Sequence, residues 1–314
     1  MRNLHELPKI RDSLSYLYVE HCRIEQEDSA IALFDKQGRT PVPCASLTLL
    51  MIGPGTSITH AAIRALADCG CMVAWTGEDG IRFYAFGTGE TRSAHNLLRQ
   101  ARAWADPAQH MAVVRRMYAM RFAESIDENL TLQQLRGREG LRVRATYEKA
   151  SHQTGLPWFG RAYERTEWGA SDPINRALSA ANSCLYGVCH SAILSAGYSA
   201  ALGFIHTGKI LSFVYDVADL YKAEISIPIA FQSAAEGETG VERRARLLCR
   251  DAFRSKHLLQ RIIPDIDLAV GTGTGSQAEI DFDLDGAAPG GLWDDETQEV
   301  AGGVNRFEDA GQEP

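Results

Sequence analysis

Asp216 and Asp219 stand three residues apart in Leu211-Ser212-Phe213-Val214-Tyr215-Asp216-Val217-Ala218-Asp219-Leu220-Tyr221-Lys222. On a helix that spacing puts both carboxylates on one face, beside the apolar Val214, Val217 and Leu220. Two like charges there repel and lose hydration, so the pattern calls for cations to neutralise them. A helix cap accounts for one aspartate at most, and Ser212 is the better cap candidate. Upstream, Gly203-Phe204-Ile205-His206-Thr207-Gly208-Lys209 holds an imidazole and an ammonium in a glycine-bounded turn. Further upstream, Leu135-Arg136-Gly137-Arg138-Glu139-Gly140-Leu141-Arg142-Val143-Arg144 sets one acid among four arginines. Its two glycines stand where helix formers would be more stable by about 1 kcal/mol each.

Each stretch has an ordinary reading. Glu139 suits the positive end of a surface helix, and His206 suits a hydrogen-bonded loop. Taken together, Glu139, His206, Asp216 and Asp219 supply three carboxylates and one imidazole, a donor set for Mg²⁺ or Mn²⁺. Such a site activates a water or a 3′-hydroxyl and stabilises charge on a displaced phosphodiester oxygen. Arg136, Arg138, Arg142, Arg144, Lys209 and Lys222 supply charge for phosphates. Read from the residues alone, this is a divalent-metal enzyme acting on nucleic acid.

The elements that must position these groups divide the chain. Tyr16-Leu17-Tyr18-Val19, Ala30-Ile31-Ala32-Leu33-Phe34 and Leu47-Thr48-Leu49-Leu50-Met51-Ile52 are runs of strand length. Gly38, Pro41, Pro43 and Gly53-Pro54-Gly55 bound them as turns. Cys71 to Trp75 and Arg82 to Phe86 flank Thr76-Gly77-Glu78-Asp79-Gly80 as a hairpin. One helix, Thr59 to Ala67, follows the N-cap candidate Ser57. After Gly87-Thr88-Gly89 the apolar period becomes helical, over His95–Trp104, Gln109–Glu124, Glu139–Thr154, Ile174–Gly197 and Glu242–Ile263. The fold class is α+β: a β-rich N-terminal domain over 1–87 and a larger α-helical catalytic domain over 88–270.

The length of 314 residues allows two folded units. Compositions of 45% hydrophobic and 23% charged exclude a collagen, a wholly disordered chain and a membrane protein. No apolar run approaches the roughly 20 residues of a spanning helix. No signal-peptide core follows Met1, so a cytoplasmic protein is expected. The seven cysteines are odd in number and form no C-x-x-C, which indicates buried thiols rather than disulfides or a zinc ribbon. The net charge of −8 is misleading, because eleven of the 40 acids and one of the 32 bases lie in Gly271 to Pro314. The remaining body holds 31 bases and 29 acids, and its bases cluster. The segment 271–314 reads as an acidic, Gly-rich, disordered tail. Within it, Ile280-Asp281-Phe282-Asp283-Leu284-Asp285 alternates as a strand that can add to a partner's sheet edge.

Several motifs in one order then resemble a known family. They are P-G-T-x-x-[ST]-H-A-A at Pro54 to Ala62, L-R-G-x-E-G-x-R-V-R at Leu135 to Arg144 and S-C-L-Y-G-V at Ser183 to Val188. G-F-x-H-T-G-K at Gly203 to Lys209, L-S-F-V-Y-D-x-A-D at Leu211 to Asp219 and R-L-x-C-R-D-x-F-R-S at Arg246 to Ser255 complete the set. The chain resembles the CRISPR-associated endonuclease/integrase, the Cas "one" subunit of the spacer-acquisition complex, in its type I-E branch. The resemblance implies a β-sandwich-like N-terminal domain, a helical catalytic domain and a homodimer. Two such dimers flank a dimer of the small Cas "two" subunit in a heterohexamer that binds double-stranded DNA. The implied activity is metal-dependent cleavage and strand transfer, in which a prespacer 3′-hydroxyl attacks a phosphodiester at the leader end of the repeat. Family metal ligands fall on Glu139, His206 and Asp219, and a further catalytic acid on Asp216. Family positions near the DNA fall on Tyr163, Tyr186, Lys209, Tyr215, Arg243, Arg246 and Arg250, which join Arg138, Arg142 and Lys222 of the basic residues above as the DNA-binding set. For the arginines the plain alternative is a solvated helix face, and for the tyrosines core packing. One departure is His21, which stands where the branch carries an aromatic wedge against the duplex end. An imidazole offers less stacking area there.

Three other functions use the same residues. A repair nuclease for branched DNA would have an identical site. A DNA-binding scaffold without catalysis is opposed by the metal-competent side chains at all four site positions. A hydrolase of small phosphate esters is opposed by arginines spread over several helices, which suit a long polyanion.

Overall fold

The computed structural model describes residues 16–28, 30–44, 47, 49–78, 83–87, 94–122, 126–127, 129–161 and 172–271. Its strands are β1 (Tyr16–Val19), β2 (Arg23–Glu27), β3 (Ala30–Asp35), β4 (Gly38–Pro43), β5 (Leu49–Ile52), β6 (Ser57–Ile58), β7 (Met72–Thr76) and β8 (Phe83–Gly87). They form two sheets, ordered β1-β5-β7-β8 and β4-β3-β2-β6. In the first, β5 runs parallel to both β1 and β7, and β7 pairs antiparallel with β8 as the expected hairpin. Strand β5 is buried along its whole length, which is why it reads as an unbroken apolar run. Its alternate residues serve two faces. Leu50 and Ile52 meet Ile24 and Ile31 of the second sheet, together with Leu66 of helix α1 (His60–Asp68). Leu49 and Met51 join Met72 and Ala74 on the opposite face, where Leu194 of the helical half packs. The prolines at 41 and 43 lie within β4, an edge strand, where a missing N–H donor is tolerated. Helix α1 is capped by Thr59, whose hydroxyl accepts from the Ala62 N–H at 3.3 Å. The expected cap, Ser57, is instead paired in β6 opposite Arg23 of β2.

The helical half contains α2 (His95–Ala105), α3 (Pro107–Phe122), α4 (Leu132–Thr154), α5 (Pro173–Ser195), α6 (Ser212–Ala218), α7 (Ser226–Ala235), α8 (Val241–Ser255) and α9 (Leu258–Val270). Helix α5 is its axis, with α6, α7, α8 and α9 packed around it. The chain is thus strand-rich and then helical, as the sequence predicts. Helix α4 begins before the expected Glu139. Thr131 and Gln134 form a reciprocal capping box, so Glu139 sits well inside the helix rather than at its positive end. The single helix expected over Glu242–Ile263 is broken between α8 and α9 at His257, which adopts a left-handed φ of 49°. Helix α9 ends on Arg116 of α3, whose guanidinium donates to the Ala269 and Val270 carbonyls at 2.7 and 3.0 Å. All seven cysteines are free thiols. No helix among the described residues is long and apolar enough to cross a membrane.

Where sheet meets helices, His190 of α5 packs on Phe83 of β8 with ring centroids 4.2 Å apart. Burial lowers the His190 pKa from 6.5 to about 4. The unfolded chain therefore takes up this proton first, so the contribution is complete above about pH 6.5 and is lost as the pH falls toward 4. Thermal melts of wild type and His190→Gln between pH 7 and pH 4.5 test this. Any wild-type advantage at pH 7 is expected to shrink on acidification, and a difference that stays constant would refute the buried neutral imidazole.

Candidate active site

Glu139 comes from the middle of α4, Asp216 from α6, Asp219 from the residue that ends α6, and His206 from the loop before it. That loop is shaped by Gly203, where a side-chain carbon would collide with the His206 carbonyl and with Ser212. It is then held on both sides. The Asp216 carboxylate accepts from the backbone N–H of Phe204 at 2.6 Å, Ile205 at 3.0 Å and His206 at 2.9 Å. The same carboxylate lies 2.7 Å from His206 Nδ1. On the carbonyl side, Trp104 Nε1 donates to Gly203 at 3.0 Å, and His110 Nε2 lies 2.8 Å from the Phe204 carbonyl. Gln100 is fully buried; its amide donates to the Ser199 and Leu202 carbonyls and accepts from the Ser199 N–H.

The two aspartates therefore have different surroundings, which the three-residue spacing does not reveal. Asp216, expected as a further catalytic acid, is 0% exposed, and its carboxylate is bonded to the His206 loop. Ser212 is not a helix cap either. Its hydroxyl accepts from Lys209 N at 3.0 Å and donates to Lys209 O at 2.8 Å, closing the turn before α6.

The cations that the acids call for are present. Arg142 grips Glu139 with two bonds, Nε to Oε2 at 2.9 Å and a terminal nitrogen to Oε1 at 3.0 Å. Lys222 Nζ lies 2.6 Å from Asp219 Oδ1. Burial alone would lower the Lys222 pKa, but the Asp219 charge and Tyr186 outweigh it, and the net shift is upward. Between the two acids sits Arg121 of α3, 3.5 Å from an oxygen of each. His206 Nε2 is 4.0 Å from Asp219 Oδ2.

The remaining candidates fall into groups. Tyr215 lies edge-on to Tyr186, with centroids 5.1 Å apart, and its ring centroid is 5.9 Å from that of His206. Lys222 Nζ lies 5.0 Å over the Tyr186 ring. These three line the site. Arg138, next to Glu139 on α4, and Lys209, in the loop after His206, are exposed. Arg243 and Arg250 are exposed and Arg246 half-buried on α8, which packs against α5, α7 and α9. Among the described residues, the ion pairs around Glu139 and Asp219 involve Arg121, Arg142, Lys222 and His206 but no α8 arginine. Tyr163 and Ile280 to Asp285 lie outside the described residues. His21 is exposed in a left-handed turn between β1 and β2, φ 51°. Its ring lies against Gly55, where a side-chain carbon would strike it.

Sequence reasoning missed Gln100, Trp104, His110 and Arg121. Each lies in a helix whose polar residues look alike on paper. The only available signal was Arg121 between Met120 and Phe122 in an otherwise apolar stretch.

The donors suit a hard divalent cation in kind: carboxylate oxygens of Glu139 and Asp219, and an imidazole nitrogen. With Nδ1–H donating to the Asp216 carboxylate, the ring presents Nε2 on the Asp219 side. Among the described residues no three such side chains close into a formed cation cage, and here the carboxylates are spread around the Arg121 guanidinium.

Comparison with known proteins identifies the family of the chain. The family model for CRISPR associated protein Cas1 matches residues 15–127 and 118–243. A Thermus thermophilus protein named CRISPR-associated endonuclease Cas1 2 is 57% identical over 96% of this chain and 93% of its own length. A Geobacter sulfurreducens protein named CRISPR-associated endonuclease Cas1 is 47% identical over 83% of this chain and 87% of that relative. A chain from the crystal structure of a TtCas1–DNA complex superposes with a TM-score of 0.77 at 57% identity, covering 84% of this chain and 100% of that one. With a family match running through both the sheets and the helices, and such identity along nearly its whole length, this chain belongs to the Cas1 family of CRISPR-associated proteins.

Proposed function

We propose that the chain is the endonuclease and integrase of CRISPR adaptation, joining a prespacer 3′-hydroxyl to a phosphodiester of the CRISPR repeat. The observation that carries this reading is the convergence of Glu139 and Asp219, from two elements, on one buried guanidinium, with His206 Nε2 4.0 Å from Asp219. Glu139, Asp219 and His206 Nε2 would hold Mg²⁺ or Mn²⁺. A divalent ion there supplies activation of the attacking hydroxyl and neutralisation of charge on the leaving oxygen. The chain's own residues do the remaining work. Asp216 holds the His206 ring in one tautomer and one orientation. Arg142, Lys209 and Lys222 offer positive charge to the phosphates flanking the reacting bond. Tyr186 and Tyr215 offer ring faces to an unpaired 3′ end, and by resemblance Tyr163 joins them. Arg138, Arg243, Arg246 and Arg250 extend the basic surface along the duplex. The nucleophile is on the DNA, so no side chain need form a covalent intermediate.

A relative at 57% identity has been crystallised with DNA, which supports DNA as the substrate here. The working assembly in this reading is a cytoplasmic heterohexamer, two homodimers flanking a dimer of the small Cas "two" subunit. The test is strand transfer of a short labelled duplex into a supercoiled plasmid carrying the array. It is run with the partner subunit and Mg²⁺ or Mn²⁺, for wild type, Asp219→Ala and His206→Ala. Joined product from wild type alone, with assembly intact in all three, is the expected result. Metal-dependent nicking without joining would assign a branched-DNA nuclease, and binding with neither activity a scaffold.

A further inference from the structure

Arg121 has its side chain 2% exposed, against 16% for Glu139 and 18% for Asp219. One terminal nitrogen lies 3.5 Å from Glu139 Oε1 and 3.5 Å from Asp219 Oδ2. The other donates to the Asp216 backbone carbonyl at 3.2 Å, and the guanidinium carbon lies 5.4 Å over the Tyr118 ring. Its Nε is buried without a hydrogen-bond partner. A cation held in the interior with one donor unmet is costly, so its position reflects what it does for its neighbours. Among the described residues it is the cation that ion-pairs with both acids, which come from α4 and from the end of α6. The guanidinium approaches from the core, while the exposed part of each carboxylate faces solvent. A planar fork of five N–H groups can serve two carboxylates and a carbonyl together; a lysine ammonium cannot hold the same three directions.

We propose that Arg121 is a positioning residue of the divalent-cation site, setting the separation of the Glu139 and Asp219 carboxylates and turning their free lone pairs outward. This rests on the metal reading above. Removing a group that orients metal ligands from behind weakens metal binding by about 10–100-fold. The test is Mn²⁺ titration of the full chain, read by calorimetry and by electron paramagnetic resonance of free Mn²⁺, with metal-free melting temperatures alongside. Wild type, Arg121→Lys, Arg121→Met and Asp219→Ala are compared. Arg121→Met is expected to fold and to bind Mn²⁺ about 10–100-fold more weakly, with Arg121→Lys between it and wild type. Unchanged affinity with a lowered melting temperature would make Arg121 a structural ion pair only. Tighter binding would make it a competitor of the metal, and either result overturns the proposal. Should Arg121→Met not fold, Arg121→Lys decides: folded with wild-type affinity, it also overturns the proposal. Failure of wild type itself to bind Mn²⁺ would instead remove the metal reading.

Discussion

Asp216→Ala is expected to destabilise the protein by at least about 3 kcal/mol, because three inward-facing backbone N–H groups lose their acceptor at roughly 1–3 kcal/mol each. For a folded unit of this size, that is a fall in melting temperature of about 6–12 °C. Water cannot readily replace the carboxylate, since Asp216 is fully buried. Asp216→Asn keeps the shape but turns an amide N–H₂ toward groups that are themselves donors, so it is expected to rescue little. Both variants also release the His206 ring, so strand transfer should fall further than the loss of folded protein explains. Circular-dichroism melts and strand transfer at a temperature where each variant is folded check the two parts. A variant that melts within a degree or two of wild type and retains activity would show that the loop is held by Trp104, His110 and Gln100 alone.

Asp219→Asn is expected to cause the largest loss of activity with little loss of fold. The residue is at the end of α6 and partly open to solvent, and the buried Arg121 beside it keeps Glu139 as a counter-charge. What is removed is one of two carboxylates in the proposed metal set. A bound divalent ion supplies several kcal/mol of transition-state stabilisation, so a reduction of about 1000-fold or more in the rate of joining is expected. Lys222 should respond as well. Burial lowers its pKa, the Asp219 charge is the foremost influence raising it, and the substitution should therefore bring it down. Single-turnover joining measures the first consequence, Mn²⁺ titration the lost ligand, and a nitrogen-15 NMR titration of the lysine ammonium groups the shift at Lys222. Joining at more than a tenth of the wild-type rate would remove Asp219 from the metal set.

Much of the architecture was legible because burial leaves a periodic trace. Tyr16 to Val19 is a strand as read, and β7 and β8 form the expected hairpin. Helices α2 and α5 start within one residue of the expected positions. Strand β2, Arg-Ile-Glu-Gln-Glu, was missed because Ile24 is its only fully buried residue. Strand β4 was missed because its prolines look like turn residues until it is known to be an edge. The start of α4 was misplaced because a capping box outweighs the propensity cost of Gly137 and Gly140 inside the helix.

The site divides along the same line. By itself the sequence determined the donor types, three carboxylates and an imidazole on short motifs rich in arginine and glycine, and hence the class of chemistry proposed for them. It also showed that the acids needed cations. Only the tertiary structure decided that Asp216 faces the loop and Asp219 the site, and that Arg121, far from both acids in the chain, lies between Glu139 and Asp219. It alone revealed the pinning of the His206 loop by Gln100, Trp104 and His110. The physical reason is that residue type and spacing are local properties of the chain. The direction in which a side chain is satisfied depends on which distant element packs against it.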